Sequence, residues 1–251
     1  GTSSSWTLTA LPLFVWMGEI LFRTKLSENL FKGLSPWMQK LPGGLIHVNV
    51  VGCALFAAIS GSSAATVATV GKMSIPELRK RNYPERILLG SLAGSGTLGL
   101  LIPPSIILII YGVAVQESIA KLFIAGIIPG IMIALIFMSY VIIWSLINKK
   151  SMPKIMEEYT FLEKIKRSKQ LLPVILLILA VIGSIYTGIA TATEAASLGV
   201  IGALILSYFQ KSLTFETFKS SLLGATKTSC MIAFILAGST FLSLAMGFTG
   251  L

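Results

Sequence analysis

The stretch GSLAGSGTLGLLIPPSIILIIYG, residues 90–112, is apolar enough to lie in a lipid bilayer but cannot form one unbroken helix. Pro103 and Pro104 have no backbone N–H to donate to the carbonyls of Gly99 and Leu100, and their rings crowd the preceding turn. In hydrocarbon, a carbonyl freed in this way is costly unless protein, water or an ion satisfies it. The sequence therefore predicts a broken membrane helix, an element that often binds transported solutes and ions.

The composition of the chain is that of an integral membrane protein. Its 251 residues are 54% hydrophobic and 12% charged, with a mean hydropathy of +0.85, and a soluble domain carries about twice this charged fraction. Several apolar stretches reach the length of about 20 residues that crosses a bilayer. The predicted spans are residues 6–22, 87–115, 122–148, 171–190, 191–208 and 222–248, whereas residues 45–75 are interrupted by Gly and Ser and predict a re-entrant hairpin.

The net charge of +10 indicates an orientation in the membrane and not a nucleic-acid partner. If the span 6–22 runs inward, 19 of the 20 Lys and Arg residues fall on the cytoplasmic side, and Lys121 alone lies outside. This bias is what the positive-inside rule predicts. We therefore expect a multi-pass membrane protein, with the lipid bilayer as its surroundings and most basic loops in the cytoplasm.

Histidine and aspartate, which most intramembrane proteases use for catalysis, are nearly absent. An intramembrane protease needs a Ser-His pair, paired Asp residues or an HExxH motif, and the chain has a single His and no Asp. Cys53 and Cys230 lie in apolar spans without motif spacing, so we expect neither a disulfide nor a zinc-type site. The sequence predicts no enzyme and no organic cofactor, and it leaves a passive channel as an alternative to a transporter.

Small polar residues mark the centre of residues 45–75. Ser60, Gly61, Ser62 and Ser63 stand beside alanines, which favours two short helices that meet at a Gly-Ser tip. Such a tip offers carbonyls at the end of one helix, N–H groups at the start of the next, and hydroxyls between them. Oxygen atoms suit a hard cation such as Na⁺, and N–H groups at a helix start suit a carboxylate. The alternative is that the small residues only allow helices to pack closely.

A faint internal repeat adds a further constraint. Residues 7–22 overlay residues 227–242, which matches Phe14 with Phe234 and Gly18 with Gly238. The predicted topology runs the first copy inward and the second outward, as an inverted repeat requires, although chance similarity of apolar helices is an alternative. Second copies of the hairpin and the broken helix would fall at about positions 280 and 320. Since the chain also begins with Gly1 and not with Met, we expect a fragment that lacks both ends of its protein.

Two motifs together resemble a known family. ISGSSAATVATVGKMSIPELRKRNY (residues 59–83) and GSGTLGLLIPPSIILIIYG (residues 94–112) are similar to the large membrane (permease) subunit of TRAP transporters of the C4-dicarboxylate and sialic acid type, within the ion transporter superfamily. TATEAAS (residues 191–197) also resembles that subunit. The resemblance implies an all-α polytopic membrane protein, an inverted-repeat elevator-type transporter with a re-entrant helical hairpin and a broken transmembrane helix.

The resemblance also implies a function and partners. It predicts Na⁺-driven uptake of an organic acid, with a small membrane subunit and a soluble periplasmic substrate-binding protein as partners. Which acid is carried stays open between C4-dicarboxylates, sialic acid and related compounds. A carboxylate or ion exchanger of the same superfamily, which works without a binding protein, is the alternative.

By the same resemblance, a first Na⁺ site lies between the hairpin tip and the broken helix. The residues expected at Na⁺ are Ser60, Gly61, Ser62, Ser63, Gly94, Ser95, Thr97, Gly99 and Leu100. The residues expected at the substrate are Ser62, Ser63, Thr97, Pro103, Pro104 and Ser105. No metal other than Na⁺ is predicted, and a second Na⁺ site would belong to the second repeat.

Four units are predicted along the chain. They are a scaffold transmembrane helix with an interfacial arm (1–44), the first transport-domain unit of hairpin and broken helix (45–118), a transmembrane helix with a solvated cytoplasmic linker (119–170), and the start of an incomplete second inverted repeat (171–251). Glu19 is predicted to pair with Arg23 at helical spacing. Glu194 is predicted to cap the helix that follows a turn at Thr191, although these residues could instead line the transport path.

Overall fold

The computed structural model describes residues 6–23, 26–153, 159–169 and 171–249, and this part of the chain contains helices and no strands. The α-helices are α1 (Ala10–Phe22), α2 (Leu26–Met38), α3 (His47–Ser60), α4 (Ser63–Lys80), α5 (Glu85–Gly96), α6 (Ile106–Ala114), α7 (Ile119–Ile147), α8 (Phe161–Ser168), α9 (Leu172–Tyr186), α10 (Ala192–Phe209) and α11 (Phe215–Thr249). Short 3-10 helices cover Trp6–Thr9, Gly44–Ile46, Thr97–Leu100 and Lys149–Ser151. The predicted all-α class is confirmed for these residues. Of the cations predicted to be cytoplasmic, Lys25 and Lys154 lie outside the described residues.

Three helices in the described ranges, α7, α10 and α11, are long and apolar enough to cross a membrane. They coincide with the predicted spans 122–148, 191–208 and 222–248. The predicted span 171–190 contains α9, which has 15 residues and is long and apolar enough to cross a membrane only together with α8, from which it is bent by 59°. The segment 6–22 is helical, but α1 itself has only 13 residues, fewer than the ~20 of a complete span.

The two interruptions predicted from the sequence are present. α3 and α4 pack on each other as a helical hairpin, with Gly61 and Ser62 at its tip. The apolar segment 87–115 is divided, because α5 ends at Gly96 and α6 begins only at Ile106. Helix bonding lapses before the two prolines, as their missing N–H groups require.

Helix α1 lies at the centre of the packing. It contacts α10, α11 and, in the hairpin, α3. Phe14 of α1 is buried and meets the ring of Phe123 edge to face, with ring centres 6.1 Å apart. By contrast, α7 exposes Ile128, Ile131 and Leu135, as a helix that faces lipid does.

The corner between α4 and α5 is held by polar contacts. Arg79 and Glu85 form a two-bond ion pair, in which Nη2 of Arg79 lies 3.2 Å from Oε2 of Glu85. The guanidinium lowers the pKa of the Glu85 carboxyl chiefly through this side-chain hydrogen bond. Within the same corner, the Tyr83 hydroxyl accepts a hydrogen bond of 3.0 Å from the backbone N–H of Leu45. The corner is thereby tied to the turn that begins α3.

We expect Tyr83→Phe to lower the free energy of unfolding by about 1 kcal/mol, because it leaves the N–H of buried Leu45 without its partner. Tyr140→Phe is the control, since Tyr140 is exposed on α7. Thermal unfolding of the purified variants in detergent measures both effects. A Tyr83→Phe protein as stable as the control would show that the Leu45 contact contributes nothing.

Two local predictions about charged residues are confirmed. Nη2 of Arg23 lies 3.0 Å from Oε2 of Glu19. Thr191 and Glu194 form a capping box at the start of α10, in which the Glu194 carboxylate accepts the backbone N–H of Thr191 at 2.8 Å. Glu194 therefore stabilises the turn between α9 and α10.

The segment predicted as a solvated linker also contains structure. Its helix α8 starts with a Thr160–Glu163 capping box and packs on α2. The Trp37 indole of α2 donates a hydrogen bond of 2.8 Å to the Ser168 hydroxyl. Residues 161–168 are thus attached to the predicted interfacial arm and are not wholly solvated.

Candidate functional site

The hairpin tip is built by two residues with opposite roles. Gly61 ends α3 in the left-handed conformation, with φ +57°, and its N–H bonds to the carbonyl of Ala57 at 2.9 Å. Glycine adopts this backbone without steric cost. Ser62 is extended and caps α4, accepting the N–H of Ala65 at 3.4 Å. The end of one helix and the start of the next therefore lie two residues apart.

The second interruption of helical structure is the break between α5 and α6. α5 passes into the 3-10 turn Thr97–Leu100, and a non-helical connection through the buried Pro103 and Pro104 leads to α6. The peptide bond between these prolines is cis. Like the hairpin tip, the break places a helix C-terminus and a helix N-terminus close together along the chain.

The tip and the break are in direct contact. The N–H of Ile106, at the start of α6, donates a hydrogen bond of 3.3 Å to the carbonyl of Gly61. A Cβ atom on Gly61 would lie 2.7 Å from the carbonyl oxygen of Pro104. A Cβ atom on Gly99 would lie 2.9 Å from the backbone N of Ser63. Glycine at these two positions allows the backbones to approach this closely.

Two hydroxyls in this region are buried without a hydrogen-bond partner. They are Oγ of Ser63, at the start of α4, and Oγ of Ser95, near the end of α5. Ser95 is completely buried. An unpaired buried hydroxyl is costly, so such a group calls for an explanation by function, water or an ion.

The other hydroxyls predicted for the site are already engaged. The Ser60 hydroxyl lies 2.9 Å from that of Thr66. Thr97 is exposed, and its hydroxyl donates to the carbonyl of Gly94 at 2.7 Å. Ser105 is buried and donates to the carbonyl of Leu100 at 2.8 Å. One of the carbonyls that the prolines release is thus bonded inside the break, although a carbonyl oxygen retains a second lone pair.

Three glycines outside the predicted set also shape the site. Gly126 and Gly130 of α7 face the break, where a Cβ atom on Gly126 would lie 2.7 Å from the carbonyl oxygen of Leu101 and one on Gly130 would lie 3.0 Å from the side chain of Ile102. Gly18 of α1 faces the tip, where a Cβ atom would lie 2.9 Å from Cα of Ser60. The spacing of Gly126 and Gly130, small-xxx-small, was the available sequence signal.

The arrangement offers groups that bind cations and groups that bind anions. The C-terminal ends of α3 and α5 present carbonyls and the negative ends of helix dipoles, and the N-terminal ends of α4 and α6 present N–H groups and positive ends. The hydroxyls of Ser63, at the start of α4, and of Ser95, near the end of α5, are further oxygen atoms of the kind that a hard cation binds, and the N–H groups are donors for an anion. Broken helices with these two kinds of ends bind Na⁺ and carboxylates together in transporters.

Comparison with known proteins gives a consistent result. The family model for the DctM component of tripartite ATP-independent periplasmic transporters matches residues 1–251. The chain is 34% identical over 239 residues to a C4-dicarboxylate TRAP transporter large permease protein of Pseudomonas aeruginosa, an alignment that covers 95% of this chain and 55% of that protein.

Two further relatives are named for other substrates. A sialic acid TRAP transporter large permease protein of Vibrio cholerae is 33% identical over 243 residues, which cover 96% of this chain and 56% of the relative. An isethionate TRAP transporter permease protein of Oleidesulfovibrio alaskensis is 34% identical over 240 residues, which cover 94% of this chain and 37% of the relative. The chain spans about half the length of the large permease proteins that it matches.

Proposed function

Because the chain belongs to the DctM component family of tripartite ATP-independent periplasmic (TRAP) transporters, we propose that it is part of the large permease subunit of a Na⁺-coupled importer of organic acids. The importer works in the bacterial inner membrane with a small membrane subunit and a periplasmic substrate-binding protein. The substrate class follows from relatives named for C4-dicarboxylate, sialic acid and isethionate. All three are organic acids, and an anionic group is their common feature.

One observation in the structure supports a Na⁺ site at the contact of tip and break. The hydroxyls of Ser63 and Ser95 are buried and unpartnered, and Na⁺ is the coupling ion that would satisfy them. Carbonyls at the ends of α3 and α5 supply further oxygen atoms of the type a hard cation prefers. The residues present therefore fit Na⁺ by their chemistry.

Na⁺ and the acid are coupled through the same backbone. Na⁺ fixes the hairpin tip against the break and so orders the N–H groups at the starts of α4 and α6. An anionic group then binds a preformed, positively polarised pocket, in which Ser62 and Ser63 supply hydroxyls and Thr97 does so by exchanging its bond to the Gly94 carbonyl for one to the anion. Each solute stabilises the arrangement that the other binds, so the coupling is reciprocal.

We further propose that the hairpin and the broken helix move together as a transport unit against α1, α10 and α11. We propose that this motion is of the elevator type and that the chain is part of an inverted repeat. We also propose that a second Na⁺ site belongs to the second repeat and that the basic loops lie in the cytoplasm. The close packing of tip on break, with Ile106 bonded to Gly61, is consistent with motion of the two as one body.

Uptake of labelled acids tests this function. Proteoliposomes should contain the complete large subunit and its small partner, and uptake of a panel of dicarboxylates, sialic acid and sulfonates is measured with and without a Na⁺ gradient and the binding protein. We expect uptake only when both are present. Uptake that needs Na⁺ but not the binding protein would indicate the stand-alone exchanger instead, and uptake without a Na⁺ gradient would contradict the coupling.

A further inference from the structure

Helices α2 and α8 form a surface outside the proposed Na⁺ and substrate site. Residues 161, 164 and 168 recur on one side of α8 and contact Trp37 of α2. The Phe161 ring meets the Trp37 ring edge to face at 6.2 Å, and Nζ of Lys164 lies 5.4 Å from the Trp37 ring centre. The Ser168 hydroxyl accepts from Trp37 and donates to the carbonyl of Gly33 at 3.2 Å. These contacts fix the rotation of α8 about its own axis.

That rotation leaves a different stripe of α8 uncovered. Leu162, Ile165, Lys166 and Lys169 follow the spacing i, i+3, i+4, i+7, which is one face of a helix. All four are exposed, Leu162 to 76% and Ile165 to 40%. The stripe therefore combines two aliphatic side chains with two long basic ones.

The charge of the surrounding segment is strongly positive. Residues 148–170 contain seven Lys and Arg residues and three Glu residues. Glu163, the one acidic residue within α8, is engaged in the capping box, where it accepts the N–H of Thr160 at 2.9 Å. Its carboxylate is thus bound to the backbone at the N-terminal end of the helix.

Helix α8 lies at the N-terminal end of the apolar helix α9. α9 is apolar, with its buried Val174 and Val181 in the protein core, and α8 joins its N-terminal end at an angle of 59°. Because α8 is bent away from α9 and is basic and amphipathic, we expect it to lie in the interface plane. Trp37 is 40% exposed beside it, and tryptophan is enriched at this depth.

We propose that α8, held on α2, is a binding site for acidic phospholipids of the cytoplasmic leaflet. Lys166 and Lys169 bind the phosphate groups, while Leu162 and Ile165 insert at the boundary between the headgroups and the acyl chains. Long basic side chains reach headgroups while their stems cover apolar surface. The site anchors the predicted interfacial arm to the membrane, and it depends on the orientation proposed above but not on the transported solute.

Quenching by brominated lipids tests the site through Trp37. The protein is placed in phosphatidylcholine nanodiscs that contain a minor fraction of either dibrominated phosphatidylglycerol or dibrominated phosphatidylcholine. The quenching of Trp37 is the difference between the fluorescence quenching of each protein and that of the same protein with Trp37→Phe. We expect dibrominated phosphatidylglycerol to quench the Trp37 fluorescence at least about threefold more than dibrominated phosphatidylcholine does. The reason is that each cation close to an anionic surface raises the affinity for it about fivefold.

The double variant Lys166→Gln/Lys169→Gln should reduce this preference at least about twofold. The matched control is Lys211→Gln/Lys219→Gln, which removes the same charge from two other exposed, predicted cytoplasmic positions and should keep the preference. Raising the salt concentration to about 1 M should abolish the preference in the unmodified protein. Equal quenching by both lipids, or an equal loss in the two double variants, would overturn the proposal.

Discussion

Gly99→Ala is expected to reduce Na⁺-driven uptake by about tenfold or more. Its new Cβ would lie 2.9 Å from the N of Ser63 and 3.0 Å from the carbonyl carbon of Ser62. Both are backbone atoms, so a side-chain rotation cannot relieve the clash, and the tip and break must separate. Binding groups need to be held within about 0.5 Å of their productive positions, and a separation of this order displaces the proposed Na⁺ ligands.

Gly90→Ala is the matched control for this substitution. Gly90 lies in α5, the helix that leads to the break, and a Cβ atom there has no atom within 4 Å. Alanine at an exposed helix position should stabilise the protein by about 0.5–1 kcal/mol and leave uptake unchanged. Equal uptake by the two variants would mean that close approach of tip and break is not needed for transport.

Ser95→Ala is expected to weaken Na⁺ binding by about tenfold, equivalent to about 1.4 kcal/mol. The same change should not destabilise the Na⁺-free protein, because it removes a buried hydroxyl that has no partner and whose burial is costly. The Na⁺-dependent rise in the unfolding temperature measures the affinity, since a ligand that binds only the folded state stabilises it by mass action. The titration exchanges NaCl for KCl at constant ionic strength. Ser63→Ala should show the same pattern.

Ser74→Ala separates an ion ligand from an ordinary buried serine. Ser74 belongs to α4, is completely buried, and like Ser95 its hydroxyl has no hydrogen-bond partner. It lies three helical turns beyond the tip, so its replacement should leave the Na⁺ response intact. If Ser74→Ala and Ser95→Ala weaken Na⁺ binding equally, the site does not lie at the contact of tip and break.

The features that the sequence predicted well are those with local chemical causes. Pro103 and Pro104 prevent a continuous helix whatever packs around them, and the structure has the break at this position. The Gly61–Ser62 pair likewise combines a residue tolerant of positive φ with a helix cap. For the same reason the Thr191–Glu194 turn could be predicted from four residues.

Features that depend on tertiary contacts were not predictable in this way. Nothing near Ser105 in the sequence shows that its hydroxyl turns back to the Leu100 carbonyl. The approach of Gly126 to the break joins segments 25 residues apart, and that of Gly18 to the tip joins segments about 40 apart. Helix α8 is a different case, because its Thr160–Glu163 pair was a readable start signal in a segment interpreted as solvated linker.

The contact between Gly18 and Ser60 has a mechanical consequence. Side chains that interdigitate must leave their sockets before two helices can slide, which opposes any displacement along their axes. At Gly18 the backbone of α1 faces the backbone at the end of α3 without a side chain between them. A shear displacement of the hairpin tip along α1 therefore meets no interdigitated side chain at this point, and steric resistance to it is low there.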